Sequence, residues 1–141
     1  MASGGAPATE AVPGGGGKLI LLAERDPYAA EFSEFYLRRD GYGVLTTRSS
    51  EEAKAQTLRQ RPHLAVVDLL ISGGRGLQLC AQLRDRLGIP VLAISTFAQR
   101  EDALAVGAGD FLRKPLSAQA LLLQVRGLLG RRALQTAQAD R

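Results

Sequence analysis

The chain has one cysteine and one histidine among 141 residues, and each scarcity closes off a class of site. Cys80 alone cannot build a disulfide framework and suits a reducing, cytoplasmic home. His63, with no cysteine or aspartate partners nearby, makes no transition-metal site. It precedes a strand, Cys80 lies on the apolar stripe of a helix, and both read as structural. The start of the chain is neither basic nor apolar, and no stretch approaches the roughly 20 apolar residues that span a bilayer, so a soluble protein without a membrane segment is expected. No GxxxxGK[ST] loop is present, which disfavours nucleotide hydrolysis. No zinc-finger spacing, basic helix before heptads or spare helix-turn-helix is found, so no DNA-binding domain is expected in this chain. The net charge of +4 is carried mainly by arginines spread along the chain and reads as dispersed surface charge. The alternative, a modest surface for an anionic partner, centres on the "GRR" run at Gly130 to Arg132.

What is present suits one small domain able to bury its own core. Residues 1–17, "MASGGAPATEAVPGGGG", hold almost nothing that could be buried and read as a flexible tail. Residues 132–141 lose apolar periodicity and read as a C-terminal tail that frays or weakly extends the last helix, leaving 18–131 as the folded domain.

Within that domain, "KLILLA", "YGVLTT", "HLAVVD", "PVLAIS" and "GDFLR" are short runs rich in Val, Ile and Leu that read as strands covered on both faces. Helical patterns alternate with them over Pro27 to Asp40, Ser50 to Arg59, Leu77 to Leu87, Gln99 to Val106 and Ala118 to Arg131. Pro27 suits a first helical position, Ser49 and Glu52 have capping-box spacing, and Gly41 and Gly88 follow helices as stops. Strict β-α alternation implies a doubly wound, five-stranded parallel sheet with helices on both faces, whose ligands bind beyond the carboxyl ends of the strands.

Four of those strand ends carry reactive groups: Glu24 to Asp26, Asp68, Ser95 with Thr96, and Lys114 before Pro115. Acids, a hydroxyl and a lysine at one sheet edge suit phosphoryl chemistry, with a carboxylate as nucleophile and the cation and hydroxyl on the phosphoryl oxygens. A haloacid-dehalogenase-like phosphatase needs a second acid two residues after its aspartate, where this chain has Leu70. An aspartate-nucleophile phosphatase is therefore the distant option.

The acidic cluster, "VVDLLISGGRGLQLC", "IPVLAIS" and "GAGDFLRKPLS", in this order and spacing, resemble the response-regulator receiver domain of two-component signalling over residues 18–131. The resemblance implies a flavodoxin-like receiver fold that signals and is not an enzyme. It makes Asp68 the phosphoacceptor, Ser95 the hydroxyl that follows the phosphoryl group, Phe111 the aromatic switch residue and Lys114 the phosphate-contacting lysine. Thr96 is the alternative to Ser95 if the alignment slips. It also implies Mg2+, held by the acidic cluster, Asp68 and the Leu70 carbonyl. At the two cluster positions this chain has Glu24 and Arg25, so Asp26 is left as the replacement for the missing acid.

Three readings of Arg25 stay open. It points outward while Glu24 and Asp26 still hold a metal; its guanidinium occupies the metal's place and pairs with Asp68; or the site is degenerate and the domain only binds partners. A millimolar ion site is worth about 4 kcal/mol, and each unit-charge pair at about 5 Å in an effective dielectric of about 20 roughly 3 kcal/mol, so the substitution bears directly on metal binding. Arg75, in the loop after Asp68, stands where the family often has an acid. The segment from Ser95 to Gly107 is about one helical turn shorter than the family's usual length. Leu121, Leu122, Val125, Leu128 and Leu129 form an apolar stripe on the last helix; Leu123 falls off it, pointing to docking or a homodimer.

The expected function is that of a single-domain response regulator, phosphorylated on Asp68 by a histidine kinase or phosphotransfer protein and acting through a downstream protein partner, or of an excised piece of a longer chain. The alternative is a phosphate-independent pseudo-receiver, a protein-interaction module on the same fold.

Overall fold

Five parallel strands form one sheet in the order β2-β1-β3-β4-β5: β1 Leu19–Ala23, β2 Gly43–Thr47, β3 Leu64–Asp68, β4 Val91–Ser95 and β5 Asp110–Arg113. The computed structural model describes residues 15–139, so the expected N-terminal tail lies, as far as residue 14, outside the described residues, as do residues 140 and 141. Two interior strands, β3 and β4, are buried along their whole length, which is why they read as unbroken apolar runs rather than alternating ones.

Alternate residues of each strand feed two cores. Ile20, Leu22, Val66 and Ile94 pack under α1 (Pro27–Arg39) and α5 (Ala118–Ala139) with Leu37, Leu121 and Val125. Leu21, Ala65, Val67 and Ala93 pack under α2 (Ser50–Gln60), α3 (Gly76–Leu87) and α4 (Arg100–Ala105) with Ala53, Leu79, Leu83 and Ala103.

Local chemistry sets the helix ends. Asp26 caps α1, its Oδ1 accepting the Tyr28 N–H at 3.2 Å, with Pro27 at the first helical position. Ser49 Oγ accepts the Glu52 N–H at 3.1 Å, while Glu52 Oε1 reaches back to the Arg48 N–H at 2.9 Å, one residue before the cap. Gly88, at φ 65°, ends α3 in the left-handed region that glycine adopts without strain.

Three segments add to the sequence reading. Gly15 to Gly17, read as part of the tail, form a turn tied to the loop after α1, the Gly15 and Gly17 N–H groups donating to the Asp40 and Gly41 carbonyls. A single coiled turn, Ile71–Gly74, precedes α3; Ser72 lies there at φ 50°, its Oγ accepting the Ser50 N–H from the start of α2. The last helix runs past residue 131 to Ala139, and Arg132 on that extension donates to the His63 carbonyl at 2.9 Å.

One glycine fixes the loop beneath the candidate site. A Cβ on Gly76 would overlap the Leu69 backbone, so α3 starts directly against the residue that follows Asp68. Gly76→Ala is expected to cost at least about 3 kcal/mol through backbone displacement. Gly127→Ala, in an open and exposed stretch of α5, is expected to add about 0.5–1 kcal/mol. Urea unfolding midpoints of the two variants test both values.

Candidate functional site

The parallel register delivers the site. β1 and β3 pair with Ala23 opposite Val67, so the next residues, Glu24 and Asp68, sit side by side at the carboxyl edge. Asp68 pairs with Ile94 and Ser95 with Arg113, which places Ser95 and Lys114 one residue further along the same edge. This is the switch point of the strand order, where an open α/β sheet leaves its crevice.

Glu24, Asp68 and Ser95 are fully buried. The Lys114 Nζ stands astride the Glu24 carboxylate, 2.9 Å from Oε1 and 3.0 Å from Oε2, and is aligned as a hydrogen bond only with Oε2. It also lies 3.6 Å from Asp68 Oδ2. Asp68 Oδ1 accepts the Leu70 N–H at 3.0 Å, and Glu24 Oε2 accepts the Asp26 N–H at the same distance. Two buried oxygens, Glu24 Oε1 and Asp68 Oδ2, remain in ionic contact without a hydrogen bond.

The Arg25 Nε is 3.5 Å from Asp68 Oδ2, so the side chain turns toward the pocket while half of it stays in solvent. The outward-pointing reading does not hold. Of the other expected groups, Ser95 Oγ donates to Gln99 Oε1 at 2.6 Å and accepts the Phe97 N–H at 3.1 Å. Thr96 is exposed. Phe111 is buried, with the Arg100 guanidinium 5.8 Å above its ring and also bonded to the Phe111 carbonyl and the Asp110 carboxylate. Gln99 and Arg100 were not legible as site neighbours; the only signal was their place just beyond a strand-end serine. Arg75 faces the Glu51 carboxylate at 3.6 Å and lends the pocket no charge.

Cys80 and His63 are structural, as expected. Burial pushes the Cys80 thiol up to about 12. His63 Nδ1 accepts the Leu19 N–H, and burial, then Lys18 and Arg132, lower its pKa.

The residues present do not fit the implied Mg2+ site. Among the described residues no three His, Cys, Asp or Glu side chains converge as metal ligands. Asp26, the expected replacement ligand, caps α1 through its Oδ1, and the Leu70 carbonyl accepts the Gly74 N–H at 3.2 Å. Glu24 and Asp68 remain, and Lys114 and Arg25 already neutralise both. A divalent ion would enter a pocket with no net charge and meet each of those cations at roughly 3 kcal/mol per unit-charge pair before screening.

The sequence model of the response regulator receiver domain family matches residues 20–126. The transcriptional regulatory protein CseB of Streptomyces coelicolor is 30% identical over 115 residues, covering 79% of this chain and 49% of that protein. The chain spans about half the length of the curated relatives it matches. Among solved structures, the signal receiver domain of a modulated diguanylate cyclase from Desulfovibrio desulfuricans superposes with a TM-score of 0.77 at 26% identity, covering 84% of this chain and 98% of that one. A CheY-like receiver domain protein from Methanospirillum hungatei gives a TM-score of 0.79 at 22% identity, covering 84% and 98%, and supports the fold alone. Family members typically use Mg2+ for phosphorylation, which sets this pocket apart from its relatives.

Burial first, and the neighbouring Asp68 next, push the Glu24 carboxyl above its ordinary 4.5, against the pull of Lys114 and the Asp26 N–H. The stability linked to this proton is fully present below that ordinary value and is lost as pH rises through the raised folded one. Glu24→Gln lacks the loss. Its unfolding midpoint is therefore expected to gain on the wild type as pH rises above the ordinary carboxylate value of 4.5. A gap that stays constant with pH would show that the Glu24 carboxyl keeps its ordinary affinity for protons in the folded protein.

Proposed function

The chain belongs to the response regulator receiver domain family, and from that premise we propose that it is a phosphoacceptor of a phosphorelay, phosphorylated on Asp68 to change its partner-binding surface. Receiver domains are signalling domains, and the proposed chemistry is acceptance of phosphate rather than turnover of phosphoesters. The observation that carries the proposal is the Asp68 carboxylate: Leu70 N–H fixes Oδ1, while Oδ2 has no hydrogen-bond partner and lies 3.6 Å from the Lys114 Nζ. That is a nucleophilic oxygen with its cation beside it.

The donor is a phosphohistidine on a histidine kinase or phosphotransfer protein in the cytoplasm. Asp68 Oδ2 attacks phosphorus, the P–N bond breaks with its electron pair passing to an imidazole already protonated on its other nitrogen, so that neutral imidazole leaves and an acyl phosphate forms. Lys114 takes up charge on the phosphoryl oxygens. Ser95 exchanges its bond with Gln99 for one to a phosphoryl oxygen. That exchange releases Gln99, the residue before α4, and so frees Arg100 to shift over the face of Phe111. The altered surface lies on α4, β5 and α5, where Leu104 and Leu123 are exposed, and it receives a downstream protein partner or a second copy of the chain.

Acetyl phosphate tests the acceptor. The wild type is expected to gain one hydroxylamine-sensitive phosphate per chain, Asp68→Asn none, and Ser95→Ala is expected to keep the phosphate but lose the partner-surface change seen by amide NMR. Equal labelling of Asp68→Asn would move the acceptor elsewhere. An unlabelled wild type under every condition would favour the interaction module. Sustained hydrolysis of p-nitrophenyl phosphate would make the protein an enzyme after all.

A further inference from the structure

We propose that Arg25 stands in for the divalent cation, so that Asp68 accepts and keeps its phosphoryl group without Mg2+. The inference rests on the reading of Asp68 as phosphoacceptor and adds what neutralises the transferred charge.

Position supports it first. Arg25 directly follows Glu24, the register neighbour of Asp68, and its Nε lies 3.5 Å from Asp68 Oδ2, on the oxygen that the Lys114 Nζ approaches to 3.6 Å. The one oxygen of Asp68 free to attack is thus flanked by two cations at nearly equal distance.

Charge supports it second. The two buried carboxylates and the two cations sum to zero, so the charge a divalent ion would supply is already present. An arriving phosphoryl group brings new negative charge, and that charge draws on Arg25 and Lys114.

The third support is the availability of donors. The Arg25 guanidinium has no hydrogen-bonded partner among the described residues and is half in solvent, leaving its N–H groups for phosphoryl oxygens. A planar guanidinium matches two such oxygens at once, as an ammonium cannot.

With acetyl phosphate the step balances without any ion or external proton. Asp68 Oδ2 forms the new O–P bond, the P–O bond to acetate breaks, and acetate leaves with the electron pair. Arg25 and Lys114 hold the equatorial oxygens throughout.

The test compares labelling by acetyl phosphate in EDTA and in Mg2+, alongside Mn2+ titration of the unphosphorylated protein followed by electron paramagnetic resonance. The wild type is expected to label in EDTA within about two-fold of its rate in Mg2+, and to leave Mn2+ free. Arg25→Gln is expected to lose on the order of 10²-fold in EDTA, the usual effect of removing one charge-stabilising donor. Arg25→Asp is expected to bind Mn2+ and to label only with Mg2+. Wild-type labelling that requires Mg2+, or Mn2+ binding by the wild type, overturns the role of Arg25 and leaves Asp68 as the acceptor. Absence of wild-type labelling in both buffers overturns the acceptor reading as well. The wild-type measurements decide the matter even if a variant fails to fold.

Discussion

Two carboxylates buried side by side are the constraint on which the carboxyl edge depends. The pairing of Ala23 with Val67 places Glu24 and Asp68 together, and both are fully buried. Removing such charges from water costs several kcal/mol each unless cations and hydrogen bonds compensate. Lys114, from the end of β5, bridges the pair, and Arg25, from the end of β1, closes on Asp68. Compensation is incomplete: one oxygen on each acid has no hydrogen bond, and the Glu24 carboxyl holds its proton more tightly than an exposed one. On the proposed function, that residual imbalance leaves the Asp68 oxygen available for chemistry.

The same edge reaches the surface through short connections. Ser95 ends β4 and is bonded to Gln99, the residue before α4; Arg100, the first of α4, covers Phe111 on β5. On the proposed function, charge arriving at Asp68 competes for the Ser95 hydroxyl and so bears on α4 and β5 together. The shortness of α4, Arg100–Ala105, means little helix stands between that competition and solvent.

Much of this architecture could be read from the chain. The apolar runs at β1, β3 and β4 named the strands, their alternation with helices named the parallel sheet, and the groups at their ends named the edge. What escaped the reading depended on contacts between distant segments. The left-handed Ser72 is held by the Ser50 N–H, twenty-two residues away, and nothing in "SGG" announces it. The weak extension of α5 was legible, but its tie, Arg132 to the His63 carbonyl sixty-nine residues away, was not. Asp26 has the same composition as cap and as ligand, and only the Tyr28 N–H distinguishes them. The direction of Arg25 was open for the same reason: a long side chain at a strand end is placed by its partner, here Asp68, and not by its neighbours in sequence.

The central claim is that Asp68 is a phosphoacceptor whose counter-charge is built into the protein. Amide NMR with beryllofluoride, a mimic of aspartyl phosphate, added in EDTA tests it most directly. The account predicts shifts at Asp68, Ser95, Phe111 and Lys114 with no Mg2+ present. A spectrum that stays unchanged until Mg2+ is added would contradict it.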